Sequence, residues 1–156
     1  MINLRGASSE DEWYRDEIAI CKTTGIEHYD IPMCATKLPE PETVALLIRT
    51  LRIAPRPFLV HCKSGSDRTG LASAVWLMLS SSQNPSKAAS HGLTLWHGHI
   101  PIGQTSAMDR FFRLYIESGQ GMDFEQWVRN AYPAIFRAES NLRDREKNNK
   151  TKKEVE

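Results

Sequence analysis

The sequence predicts an α/β domain, and three observations carry that prediction. Short apolar runs rich in strand formers alternate with stripes at helical spacing, the elements follow the order β-α-β-α-β-loop-α, and the stretch HCKSGSDRTG joins the third strand to the helix behind it. The order opens on Ile2-Asn3-Leu4. Ser9 with Glu12 then reads as a capping box for a helix whose Tyr14, Ile18 and Cys21 share a face and which ends near Gly25. A strand from Ile26 to Pro32 follows, and Pro41-Glu42 opens a second helix with Val44, Leu47, Ile48 and Leu51 at helical spacing. Ala54-Pro55-Arg56-Pro57 turns the chain into the run Pro57-Phe58-Leu59-Val60, the strand that feeds the loop. Beyond it, Gly70 to Leu79 reads as a buried helix and Ser86 to Trp96 as another. Met108, Phe111, Phe112 and Tyr115 form the stripe of the next helix, and Phe124, Trp127, Val128 and Ala131 that of the last. These stripes are core rather than cofactor contacts.

A loop between the end of a strand and the start of a helix is suited to hold phosphate. The helix N-terminus presents N–H groups without intrahelical partners, and its dipole favours negative charge. Gly65 lets the backbone approach closely. Cys62, at the start of the loop, lies in the same field, where reactive cysteines reach a pKa of ~3.5–7.5 and ionise near neutral pH. Arg68 can fold back with a planar fork of donors for two phosphoryl oxygens, and Thr69 can direct its hydroxyl at the sulfur. Lys63, Ser64, Gly65, Ser66, Asp67 and Arg68 are therefore the expected substrate-binding residues, with Lys63 favouring a highly charged substrate. A free cysteine is more often a small buried hydrophobe, but the strand, His61, Gly65, Thr69-Gly70 and the apolar helix around Cys62 point to chemistry instead.

His-Cys, five residues, then Arg-Thr-Gly resembles the signature of the cysteine-dependent protein tyrosine and dual-specificity phosphatases. The ending Arg68-Thr69-Gly70 favours that family over rhodanese-like sulfur transferases. Ile2-Asn3-Leu4-Arg5-Gly6 looks like a strand of the compact dual-specificity group, and Trp13-Tyr14, Ile31-Pro32-Met33 and Gly98-His99-Ile100-Pro101 occupy similar stations in its bacterial members. The likeness runs from residue 1 to about 135. It implies a protein tyrosine phosphatase-like fold with a central sheet flanked by helices. It also implies attack of Cys62 on phosphorus, a phosphocysteine, binding of substrate and transition state by Arg68, and release of phosphate by water without metal or other cofactor. His61 would brace the loop from beneath. Relatives of this group carry further residues before the first strand, so a sheet edge or part of the pocket wall is expected to be missing. An anchor or signal in a longer precursor is left open.

Such a phosphatase needs a proton donor for the departing oxygen, a contribution of roughly 10²–10⁴-fold. The resemblance places an aspartate about thirty residues before the cysteine, on a mobile loop. Asp30 stands near that distance, but His28-Tyr29-Asp30-Ile31-Pro32 reads as strand, and Met33-Cys34-Ala35-Thr36-Lys37-Leu38-Pro39 holds no carboxylate. Asp67 is the preferred general acid, because Asp-Arg-Thr also closes the loop in myotubularin-like and bacterial lipid-active phosphatases. Asp30 is the alternative acid. Their structural readings are a helix-capping surface carboxylate and a solvated strand residue, respectively.

The rest of the chain narrows the setting. With 156 residues and a formal charge of +1, it reads as one soluble domain without the basic, aromatic-laced patch of a nucleic-acid binder. No apolar run approaches a membrane span, and Arg5 with Glu10-Asp11-Glu12 interrupts any signal peptide, so the expected location is cytoplasmic. Cys21, Cys34 and Cys62 form neither a disulfide framework nor a zinc pattern. Cys34 lies in the segment expected to cover Cys62, and a reversible disulfide would need their Cα atoms within roughly 7 Å. His97 and His99 flank Gly98 without other ligands at metal-site spacing and are read as the active-site rim. Residues 1–140 form the expected catalytic domain and 141–156 a charged, disordered tail. The expected activity is metal-independent hydrolysis of phosphotyrosine monoesters, extending to phosphoserine and phosphothreonine. A phosphoinositide phosphatase and a non-catalytic phosphate-binding pseudophosphatase are the alternatives.

Overall fold

In the computed structural model, residues 1–81, 84–94, 98–100 and 106–155 are described, those from 146 onward by backbone alone. Strands β1 (Ile2–Asn3), β2 (Tyr29–Asp30) and β3 (Val60–His61) form a parallel sheet in the order β2-β1-β3. Ile2 and Asn3 of β1 face Tyr29 and Asp30 on one side and Val60 and His61 on the other. Parallel strands require crossover connections, which α1 (Glu12–Thr24) and α2 (Pro41–Ile53) supply, and α3 (Asp67–Ser81) leaves the last strand. Four further described helices follow: α4 (Pro85–Gly92), α5 (Ala107–Ser118), α6 (Phe124–Asn130) and α7 (Tyr132–Val155).

Alternation along the strands separates the two faces of the sheet. Asn3, Asp30 and His61 share a register level, and the last two reach α1: Tyr14 donates to Asp30 Oδ2 at 2.6 Å, and His61 Nε2 donates to the Glu17 carboxylate at 3.1–3.2 Å. Their neighbours along the chain, Leu4, Ile31 and Cys62, turn the other way into the core. Farther out, Phe111, Phe124, Trp127 and Tyr132 form an aromatic cluster from α5, α6 and α7. Tyr132 donates to the Pro39 carbonyl at 2.6 Å and thereby ties this cluster to the segment between β2 and α2.

The stripes of the first two helices stand as read, with Cys21, Val44, Leu47, Ile48 and Leu51 buried. Several boundaries differ. The Ser9–Glu12 capping box is not made: Asp11 is the N-cap of α1, and Ser8 donates to the Asp11 carboxylate at 2.7 Å. Gly25 does end α1 at φ 70°, a left-handed conformation that glycine adopts without strain. Helix α3 begins at Asp67 rather than Gly70, because the loop's last residues already close its first turn, Gly70 N–H donating to the Ser66 carbonyl at 2.8 Å. Helix α4 ends at Gly92, and Trp96 lies outside the described residues. The stripe ending at Ala131 belongs to α6, after which α7 continues as helix to Val155, where a disordered tail was expected. Arg, Glu and Lys are good helix formers, which favours helical backbone there.

Helices α3 and α4 meet at glycines. A Cβ at Gly70 would lie 2.4 Å from the Gly92 carbonyl oxygen, and one at Gly92 would lie 2.1 Å from that of Gly70. Backbone cannot yield as a side-chain tip can. Replacement of either glycine by alanine is expected to cost about 1–3 kcal/mol through overpacking, lowering Tm by roughly 2–4 °C per kcal/mol. An unchanged melting curve for Gly92→Ala would show that the helices separate without penalty.

Candidate active site

The segment after β3 curls beneath the start of α3, and Gly65 takes φ +74° there with open space around its missing Cβ. Cys62, at the floor, is 9% exposed. Burial, the largest influence on its thiol, pushes the pKa up. The Thr69 hydroxyl and the backbone N–H groups of Thr69, Ser64 and Gly65 outweigh it, and the thiol is held below its ordinary value. The Thr69 hydroxyl is itself buried and bonded to no other protein group. Lys63, Ser64 and Gly65 are exposed at the rim, whereas Ser66 is buried.

Arg68 stands in the first turn of α3. Its Nη1 donates to the Leu4 carbonyl at 3.4 Å and to the Met33 carbonyl at 3.3 Å. Leu4 follows β1 and Met33 follows β2, so the chain segments leaving all three strands converge on one guanidinium. Its Nε is buried without a protein acceptor. A buried donor without a partner costs about 1–3 kcal/mol, and a phosphoryl oxygen supplies the charge-assisted acceptor such an edge requires.

Asp67, beside it, does not serve as a helix cap. Its Oδ1 accepts from His99 Nδ1 at 2.7 Å and from the Ser66 hydroxyl at 3.4 Å. The other ring nitrogen of His99 lies 2.8 Å from Asp109 Oδ2 on α5, and His99 is 1% exposed. Burial, the largest influence, pulls the imidazole pKa down, yet the two carboxylates raise it above the ordinary histidine value. This line of three side chains escaped the sequence reading, which placed His99 on the rim and assigned Asp109 nothing. A histidine in an irregular segment and an acid beside a core methionine give no local sign of each other. His97 and Pro101 lie outside the described residues.

Asp30 sits elsewhere. Its carboxylate accepts from Tyr14 and, at 2.8 Å, from Asn3 Nδ2, on the α1 side of the sheet. The Tyr14 phenol is pushed up to about 12 by its hydrogen bond to Asp30, then by burial. His61, next to Cys62, shares Glu17 with His28, whose Nε2 donates at 2.6 Å. Cys34 is exposed on the β2–α2 segment, and both it and Cys62 are free thiols. Burial pushes the Cys34 thiol up, but the Thr36 hydroxyl, nearby N–H groups and Lys37 bring it below its ordinary value. Met33 and Cys34 also line a cleft of ≈ 1080 Å³ with Lys37, Arg110 and Arg143, and Cys62 is not part of its wall.

The chain belongs to the family described as PTP-SAK, Swiss Army Knife protein, DSP-PTPase phosphatase domain, whose model matches residues 3–113. The match spans the sheet, the loop and α3, and ends within α5. No curated protein and no solved structure matches the chain. At the level of the family it is a protein phosphatase domain, a hydrolase of phosphorylated substrates. No helix among the described residues is long and apolar enough to cross a membrane.

The cause of the lowered Cys62 pKa can be tested in a Cys34→Ser background. Alkylation of Cys62, followed by mass spectrometry across pH, is expected to give a midpoint below that of an ordinary thiol. Thr69→Val should move that midpoint upward. An identical midpoint in the variant would mean that the Thr69 hydroxyl plays no part.

Proposed function

We propose that the chain hydrolyses phosphotyrosine-type monoesters through a phosphocysteine formed on Cys62, without a metal ion. The observation that carries this reading is the pairing, on one loop, of a thiol whose pKa is lowered by facing N–H groups with an arginine whose buried Nε has no protein acceptor. Membership of the phosphatase family supports it. The substrate phosphate would rest on the N–H groups of the loop from Lys63 to Asp67 and on the Arg68 fork. Sulfur attacks phosphorus as the ester oxygen departs, and Arg68 with the helix N-terminus stabilises the charge spread over the equatorial oxygens. Water then attacks the phosphocysteine, phosphate leaves, and the thiolate is restored with Thr69 beside it.

Asp67 is the proton carrier in this reading. It lies in the loop's own first helical turn, whereas Asp30 has both oxygens engaged by Tyr14 and Asn3. Asp67 would donate to the departing oxygen in the first step and accept from water in the second. Its contact with His99 leaves the other carboxylate oxygen, Oδ2, for that exchange.

Purified protein is expected to release phosphate from an aryl phosphate in the presence of EDTA, and Cys62→Ser to abolish release while retaining substrate binding. Activity surviving in Cys62→Ser would refute the phosphocysteine. Asp67→Asn should slow substrates with poor leaving groups more than those with good ones, by at most the roughly 10²–10⁴-fold that general acid catalysis supplies. Asp30→Asn should lower thermal stability and leave the leaving-group dependence as it is; the reverse pattern would reassign the acid. Phosphopeptides and phosphoinositides assayed side by side identify the substrate class.

A further inference from the structure

Asp67, His99 and Asp109 form a line whose protonation is constrained by geometry. Both ring nitrogens of His99 face carboxylate oxygens, at 2.7 and 2.8 Å. A neutral imidazole has one N–H, so it could satisfy one carboxylate and would set a lone pair against the other. An imidazolium satisfies both. Handing one of its protons to either aspartate would place it on the weaker base, since a carboxyl titrates at ~3.9 and an imidazole at ~6.5. The raised pKa of His99 agrees with this arrangement. Among the described residues, the charged groups acting on His99 are Asp67 from α3 and Asp109 from α5, and the further partner of Asp67 is the Ser66 hydroxyl.

We propose that Asp109, acting through His99, sets the leaving-group range of the phosphatase: the pair favours the carboxylate form of Asp67, which accepts a proton from water, over the carboxyl form that a departing oxygen needs. This rests on the reading of Cys62 as nucleophile and Asp67 as proton carrier. In the first step the Sγ–P bond forms, the P–O ester bond breaks, and the electron pair leaves with the oxygen. A phenol, with a pKa of ~10, departs tolerably without a proton; the far more basic alkoxide of a serine, threonine or inositol does not. In the second step the water oxygen bonds to phosphorus, the S–P bond breaks, the pair returns to sulfur, and the water proton passes to Asp67. The carboxylate form serves the second step directly, whereas the first draws on the carboxyl form that the His99–Asp109 pair disfavours. Phenolic esters are therefore the substrates, and alkyl esters are turned over poorly. Asp109 is a positioning residue, since it touches His99 rather than the phosphate loop.

The test compares phosphotyrosine and phosphoserine peptides of matched sequence, with kcat and kcat/KM followed across pH for wild type and Asp109→Asn, after melting curves confirm that the variant folds. Wild type should strongly prefer phosphotyrosine. In Asp109→Asn, His99 loses one of two carboxylates, burial favours the neutral ring, and Asp67 binds a proton more readily. The phosphoserine-to-phosphotyrosine ratio of kcat/KM should then rise, up to the roughly 10²-fold that general acid catalysis can supply, and the acidic limb of kcat should move to higher pH. His99→Gln, which removes the charge but keeps an amide near Asp67, should shift the ratio in the same direction. The ¹⁵N spectrum of wild type should show His99 with both nitrogens protonated at neutral pH. Equal losses on both peptides with an unmoved pH limb would reduce Asp109 to a structural contact and overturn the inference alone. No Cys62-dependent turnover of either peptide would overturn the phosphatase reading with it.

Discussion

Arg68 is held by two main-chain carbonyls, those of Leu4 and Met33, and these contacts tie the loop after β3 to the segments leaving β1 and β2. The constraint reaches back into the sheet. The two carbonyls can meet at one guanidinium because the three parallel strands end at a common level, Asn3 facing both Asp30 and His61. A slip of one residue in β1 would exchange its faces and carry the Leu4 carbonyl away. It also reaches forward, since Arg68 rides on the first turn of α3, whose position is fixed by the backbone contact of Gly70 with Gly92. Sheet register and glycine packing together thus decide where the guanidinium points.

The electrostatics of the loop follow from that placement. Burial alone would raise the pKa of Cys62, and the Thr69 hydroxyl with the N–H groups around the sulfur brings it below the ordinary thiol value. The same donors that hold a thiolate hold a phosphoryl group, so the free site is already organised for the charge it is to bind. Asp67 would oppose an incoming dianion if it stood alone in this field. His99 stands between Asp67 and Asp109, within hydrogen-bond distance of both, and the two carboxylates raise its pKa above the ordinary histidine value. In the proposed reading two tasks are separate: Arg68 and the loop amides would face phosphate, while His99 and Asp109 would act on the neighbouring carboxylate.

Much of this was legible before any coordinates. Helical stripes such as Val44, Leu47, Ile48 and Leu51 are local patterns, and the buried face of α2 follows them. Cys62 and Arg68 stand at the two ends of one loop because strand, loop and helix are contiguous, and that placement is readable from spacing alone. The N-terminus of α1 was misplaced by local chemistry: Ser8, Ser9 and Asp11 all suit an N-cap, and composition does not choose among them. His99 and Asp109 were missed for a different reason. His99 touches both Asp67 and Asp109, and that link depends on how α3 and α5 meet at residues 98–100, a distance that no periodicity encodes. Asp30 shows the opposite case. Its place on β2 was readable, but its engagement by Tyr14 and Asn3 required the fold of α1 over the sheet.

The segment between β2 and α2 explains why the carboxylate belongs on the loop. In a phosphatase that keeps its acid on this segment, closure brings the acid to the substrate, and the segment must be free to move. Here its ends are fastened: the Met33 carbonyl accepts from Arg68, the Leu38 side chain is buried, and the Pro39 carbonyl accepts from Tyr132 of the aromatic cluster. Swinging it inward would break the bracing of Arg68, the arginine proposed to bind phosphate. A carboxylate on α3 avoids that conflict, because it moves with Arg68 and needs no closure to reach the ester. On the proposed reading such a carboxylate would be tuned by fixed neighbours rather than by an opening and closing loop, and His99 with Asp109 occupies that place.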